Sequence, residues 1–178
     1  EPLATSLHAA KMGTPANGEQ AVIFGAGIIG LGIIQCIKAL GVQLQTLVVV
    51  DTSEKRLAMA KTLGATHVIN AAQGNVIEKI TEIVGTTPMM YAPTVPVPNV
   101  DLIFDAVGYI KERQGQAVFE QALILAREHG RIVVVGAFEA PVTVDLNPLF
   151  GKQLKVFGSL GYEIPAEFME ALEILRAK

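Results

Sequence analysis

Cysteine is nearly absent from this sequence: Cys36 stands alone, which excludes an internal disulfide and suits a reducing, cytoplasmic setting. Basic charge is also scarce. The 14 Lys and Arg against 17 Asp and Glu leave a net charge of −3, and no basic patch stands out. Neither a nucleic-acid nor an anionic-membrane partner is expected. Charged residues make up only 17% of the chain and hydrophobic ones 51%. That balance suits a sheet covered on both faces, whose strands read as unbroken apolar runs. The apolar stretch Ala21 to Leu40 is interrupted by Gly25, Gly27, Gly30 and Gly32, and by Gln35 and Lys38. It reads as a strand–helix unit of a water-soluble domain, not as a membrane span. No signal peptide is expected from the opening residues. It begins at Glu1 instead of methionine, which fits a piece of something longer. Residues 1–178 are expected to form one domain.

The chain is organised around Ala21 to Asp51. A short apolar run, Ala21-Val22-Ile23-Phe24, is followed by Gly25-Ala26-Gly27-Ile28-Ile29-Gly30. A helical stretch to Leu40 and a second apolar run, Leu47 to Val50, then lead to Asp51. Strand, glycine turn, helix, strand, acid is the order that binds a dinucleotide. Gly25 can take the tight turn out of the strand. Gly27 lets the backbone approach a pyrophosphate, and Gly30 lets the helix pack close to the strand. The first helical turn, with Ile28 and Ile29, offers free N–H groups to the phosphates. Asp51 can accept both hydroxyls of an adenosine ribose. Thr52 and Ser53 follow it, with no arginine or lysine directly after, so NAD is favoured over NADP.

The rest of the chain alternates. Glu1 to Gly13 reads as a helix, Ser53 as the N-cap of a helix ending at Leu63 before Gly64, and His67 to Asn70 as a strand. Asn75 to Val84 is a helix. Pro88, Pro93, Pro96 and Pro98 forbid a helix or an interior strand between Gly85 and Asn99. That connector is expected as a mobile surface excursion at the N-terminal edge of the sheet. Strands at Leu102–Asp105 and Arg131–Val135 flank a helix from about Gln114 to Glu128. Val142-Thr143-Val144 is a short extended piece, and Asn147-Pro148 starts a helical turn. Gln153 to Ser159 is the last strand, and Pro165 to Lys178 a closing helix. The pattern predicts an α/β fold with a doubly wound, six-stranded parallel sheet in the order 3-2-1-4-5-6, the Rossmann arrangement.

Several marks in order carry a resemblance to a known family. They are Glu1-Pro2-Leu3-Ala4, the glycine turn, Asp51 with Arg56-Leu57-Ala58, Leu63-Gly64-Ala65, Asp105-Ala106-Val107-Gly108, Gly130-Arg131 leading to Val135-Gly136-Ala137, and Phe157-Gly158-Ser159. The chain resembles the cofactor-binding domain of the zinc-type, medium-chain alcohol and polyol dehydrogenases. The resemblance covers nearly all of it except the proline-rich connector. It implies that Arg56 flanks the adenosine ribose and that Val107 and Gly108 line the cofactor groove. It further implies that Val135, Ala137, Ser159 and Gly161 belong to segments holding the nicotinamide carboxamide. In the polyol branch the glutamate matching Glu1 approaches the catalytic zinc; from the residues alone, Glu1 reads equally as a frayed terminal acid.

The family's zinc ligands and proton relay belong to a preceding domain that this sequence does not contain. Cys36, His8, His67 and His129 are scattered, so no metal ligand is expected here. The expected role is the NAD(H)-binding half of an oxidoreductase that moves a hydride between a secondary alcohol or polyol and nicotinamide. The fragment alone is expected to be inactive. Rival readings are a stand-alone NAD-binding or redox-sensing module, a SAM-dependent methyltransferase and a zinc-free quinone reductase of the same superfamily. Methyltransferases of that class close with an antiparallel hairpin strand, and the quinone reductases usually favour NADP. The apolar outer strand 153–159 is expected to pair with a second copy, giving a homodimer.

Overall fold

The computed structural model describes residues 1–109 and 117–177. Six parallel strands form its centre: β1 (Gln20–Phe24), β2 (Thr46–Asp51), β3 (His67–Asn70), β6 (Val100–Asp105), β7 (Ala126–Val134) and β8 (Lys155–Gly158). Between β3 and β6 lies a small separate ribbon, β4 (Thr86–Pro88) and β5 (Pro96–Pro98). The main sheet runs β3-β2-β1-β6-β7-β8, the expected 3-2-1-4-5-6 order once the ribbon is set aside. β8 lies parallel to β7, and among the described residues no antiparallel strand joins the main sheet.

The central strands carry apolar runs, Ala21 to Phe24 and Leu102 to Phe104, because both faces are covered. All residues of β1 and β6 are buried. Ile23, Val49, Leu102 and Phe104 pack on one face with Leu7, Ile33, Ile37 and Ala60. Those partners come from α1 (Pro2–Gly13), α2 (Ile28–Ala39) and α3 (Glu54–Leu63), and Ala171 of α7 (Ala166–Arg176) joins them. Val22, Val48 and Ile103 face the other way, onto Ile80 of α4 (Val76–Val84) and Leu123 of α5 (Val118–Leu125). Neighbours along a strand therefore serve opposite layers, as the strand period of two requires.

Element ends follow local chemistry in most places. Asn75 caps α4, its side-chain oxygen accepting from the N–H groups of Ile77 (3.1 Å) and Glu78 (3.4 Å). Gly64 ends α3 with φ of +124°. Ser53 holds the N-cap position of α3 but makes no side-chain capping bond; its own N–H donates to Asp51 Oδ1 at 2.8 Å.

Three segments depart from the expectation. The proline-rich connector contains an antiparallel ribbon, pairing Thr86 with Pro98 and Pro88 with Pro96. Each strand of a two-stranded ribbon has an unpaired side, so a proline can lack its N–H there. Gln20 Nε2 donates to the carbonyls of Val84 (3.0 Å) and Asn99 (2.9 Å), which ties both ends of the connector to the N-terminal edge of β1.

The second departure is at α5, which stops at Leu125, so that Ala126 to Glu128 belong to β7. The expected start at Gln114 lies outside the described residues. An apolar sequence that could have continued as helix is instead drawn into the sheet. The pairing slips from Val100–Ala126 to Leu102–Arg131, leaving a bulge with His129 at φ +61°. Lys152 holds this bulge from beneath. Its carbonyl accepts the N–H of His129 at 2.8 Å, and its Nζ donates to the carbonyls of Ile124 (2.9 Å) and Ala126 (2.6 Å).

The third is β8, which begins at Lys155, later than expected. Gln153 and Leu154 close α6 (Asn147–Gly151) through N–H bonds to Phe150 and Leu149. Val142-Thr143-Val144 adopts no strand, and α7 ends at Arg176, with Lys178 outside the described residues. Among the described residues, no helix is long and apolar enough to cross a membrane.

Candidate dinucleotide site

The sheet changes direction of progression at β1, which has β2 on one side and β6 on the other. At the C-terminal ends of these three strands lies a cleft of about 490 Å³. Open α/β sheets bind ligands at such a switch point.

The glycine turn does three separate jobs there. Gly25 leaves β1 at φ +92°, and its N–H donates to the carbonyl of Val50 at 2.7 Å. A Cβ on Gly27 would meet nothing within 4 Å, so its surface is open for a ligand. A Cβ on Gly30 would lie 1.8 Å from the Gly25 carbonyl oxygen, so α2 can approach the strand only with glycine at that position. Gly27 caps α2 without a side chain, and the first-turn N–H groups of Ile28, Ile29 and Gly30 have no intrahelical acceptor. Partial positive charge there favours an anion.

Asp51 stands opposite. Its Oδ2 accepts the N–H of Ala26 at 2.8 Å, its Oδ1 that of Ser53, and Arg56 Nη1 lies 3.5 Å from Oδ2. The carboxylate is thus held by both the glycine turn and the start of α3. Arg56 is more than half exposed and lines the same end of the cleft as Asp51.

Gly25, Gly27, Asp51, Arg56, Val107 and Gly108 are brought together as cleft lining. The other sequence-derived residues are not. Ile28 points outward, at 69% exposure, and Ile29 and Gly30 lie in the first turn of α2. Val135 and Ala137 follow β7, and Ser159 and Gly161 follow β8, farther along the same sheet edge. Ser159 is buried; its N–H donates to the Val134 carbonyl at 2.8 Å, while its Oγ has no partner. Glu1 is exposed at the start of α1, its carbonyl accepting from Thr5.

The cleft also draws on Thr52, Val76, Tyr109, Val118 and Gln121, which the motif did not identify. Val76 and Val118 open α4 and α5, and Thr52 and Tyr109 follow strand ends. Their shared signal is position, at the strand-to-helix crossings of the C-terminal edge.

Residues 29–177 match the zinc-binding dehydrogenase family. The chain belongs to that family. Its relatives include an uncharacterised zinc-type alcohol dehydrogenase-like protein, YdjJ, of Escherichia coli. The two are 36% identical over 139 residues, which is 76% of this chain and 34% of YdjJ. D-xylulose reductase of Scheffersomyces stipitis is 32% identical over 164 residues, covering 91% of this chain and 39% of that protein. Among solved structures, an E. coli alcohol dehydrogenase, RspB, in complex with NADH superposes with a TM-score of 0.78 at 26% identity. The match covers 99% of this chain and 46% of that one. The chain therefore spans less than half the length of the relatives it matches.

Among the described residues no group of three His, Cys, Asp or Glu side chains could hold a metal ion. Cys36 is buried in α2. His8 is engaged with Glu167, Nδ1 to Oε2 at 2.8 Å, in the seam between α1 and α7. The described residues do not fit a zinc centre.

Proposed function

We propose that this chain is the NAD(H)-binding half of a dehydrogenase that transfers a hydride between a secondary alcohol or polyol carbon and the nicotinamide ring. The observation that carries the reading is the convergence of Gly25, Gly27, Asp51 and Arg56 on one cleft at the β1 switch point. The cleft suits a dinucleotide: open space over Gly27 for the pyrophosphate, free N–H groups in the first turn of α2, and a carboxylate for the ribose. Bound NAD would supply the hydride chemistry, and the protein supplies position. Val107 and Gly108 form the wall opposite Asp51. We assign Val135, Ala137, Ser159 and Gly161 to the carboxamide, an assignment that the unpartnered buried hydroxyl of Ser159 supports. Asp51 disfavours a 2′-phosphate by charge, so NAD is taken over NADP. Titration calorimetry of the chain with NADH and NADPH tests this; equal or tighter NADPH binding would sink it.

We further propose that the chain forms a homodimer through β8. Among the described residues this outer strand pairs only with β7, and Val156 on it is 39% exposed. A two-fold axis beside it would join two sheets edge to edge. A single buried Cys36 suits a cytoplasmic setting.

A further inference from the structure

Beneath the cleft lies a buried acid that the cofactor chemistry does not use. Asp105, the last residue of β6, is fully buried and does not line the cleft. Four backbone N–H groups converge on it. Oδ1 accepts from Val107 at 3.0 Å and from Gly108 at 2.9 Å. The main-chain oxygen accepts from Val135 and Gly136, both at 2.9 Å. One residue thus ties the turn leaving β6 to the turn leaving β7.

These two turns leave no slack between them. A Cβ on Gly136 would lie 2.0 Å from the Gly108 nitrogen, and Tyr109 donates its N–H to the Ala137 carbonyl at 3.0 Å. The other side of the β6 turn faces the glycine turn: a Cβ on Gly25 would meet Val107 Cγ2 at 2.9 Å. Whatever sets the height of Val107 and Gly108 therefore sets the width of the cleft.

Only half of the carboxyl group serves that purpose. Oδ2 is buried without a partner. Burial pushes the carboxyl up from the ordinary range of an aspartate, while the two N–H bonds on Oδ1 pull it down. A bare buried oxygen is costly, and its retention calls for a purpose other than stability.

We propose that Asp105 is a positioning residue for the dinucleotide: through Oδ1 it holds the Val107–Gly108 wall at the distance from the glycine turn that the cofactor requires. The inference rests on the cofactor reading above and adds a residue that never touches the ligand.

NADH titration by fluorescence, together with amide hydrogen exchange, tests it on the wild-type chain, Asp105→Ala and Asp105→Asn. A folded D105A is expected to bind NADH about tenfold more weakly. Its Val107 and Gly108 amides lose protection, while those of Val135 and Gly136, held by the main-chain oxygen, keep theirs. D105N retains the Oδ1 acceptor and recovers both affinity and protection. A folded D105A with wild-type affinity, or a weakened one whose Val107 and Gly108 amides stay protected, overturns the proposal. If D105A does not fold, D105N decides: near wild-type affinity with both amides protected supports it, and a tenfold loss in folded protein overturns it. A wild type that binds no NADH overturns the cofactor reading and this proposal with it. A wild type that binds while D105A binds equally well overturns this proposal alone.

Discussion

The backbone N–H of Ala26 donates to Oδ2 of Asp51 at 2.8 Å, joining the middle of the glycine turn to the end of the neighbouring strand. The acid proposed to select the ribose therefore also holds the glycine turn proposed to cradle the phosphates. A substitution at Asp51 acts on both at once.

Asp51→Asn keeps an oxygen for Ala26 but removes the charge. NADH affinity is expected to fall by about 1.5–3 kcal/mol, the range for hydrogen bonds to charged groups. Discrimination against NADPH should narrow, because the repulsion of a 2′-phosphate is gone. Calorimetry with both cofactors measures the ratio; an unchanged preference would place selectivity elsewhere.

Two glycines of the same turn should respond in opposite ways. Gly27→Ala enters open space, so the stability loss should be limited to placing alanine at an N-cap, about 1 kcal/mol or less. NADH binding should still drop sharply, because the methyl group would stand where the proposed reading puts the pyrophosphate. Gly30→Ala drives a Cβ to 1.8 Å from the Gly25 oxygen and should cost at least about 1–3 kcal/mol of stability. Urea unfolding and NADH titration of both variants check the contrast. A destabilised G27A beside a stable G30A would overturn it.

Lys152 should leave a signature in alkaline stability. Burial lowers its ammonium from 10.5 to about 8. Between those values the unfolded chain holds a proton that the folded chain has released, so stability rises with pH across that window. The contribution is complete above pH 10.5 and is lost as pH falls through about 8. Its size is on the order of 3 kcal/mol. Lys152→Met removes the slope and leaves the carbonyls of Ile124 and Ala126 without their donor. Urea midpoints of wild type and K152M from pH 7 upward give the comparison; parallel curves would refute the assignment.

The dimer proposal turns on which way Val156 points its N–H. Ser159 donates inward, to Val134 of β7. Backbone direction alternates along a strand, so Phe157 and Lys155 also face β7 while Val156 faces the free edge. Val156→Pro should remove an edge donor without breaking the β7–β8 ladder. Light scattering should then show a dimer for the wild type and a monomer for V156P, both with NADH binding intact. A monomeric wild type, or a V156P variant that remains dimeric, rules the edge contact out.

Much of the architecture follows from the sequence alone. Unbroken apolar runs such as Leu47 to Val50 can satisfy neither a one-faced sheet nor an amphipathic helix, so a parallel sheet covered on both faces is what remains. The glycine spacing and Asp51 carry their chemistry locally, because a turn, an open surface and a close helix contact each demand a residue without a side chain. The tertiary structure decided what depends on distant partners. Ala126 to Glu128 became strand because β6 and Lys152 offered hydrogen bonds that outweigh helical periodicity. Prolines at Pro88 and Pro96 could join a ribbon because that ribbon has a free side. The carboxylate bonds of Asp105 to Val107 and Gly108 are local to one motif, but the bonds of Val135 and Gly136 to its main-chain oxygen are not. They arise where two strands end side by side, and no local pattern records which carbonyl will stand opposite an N–H after folding.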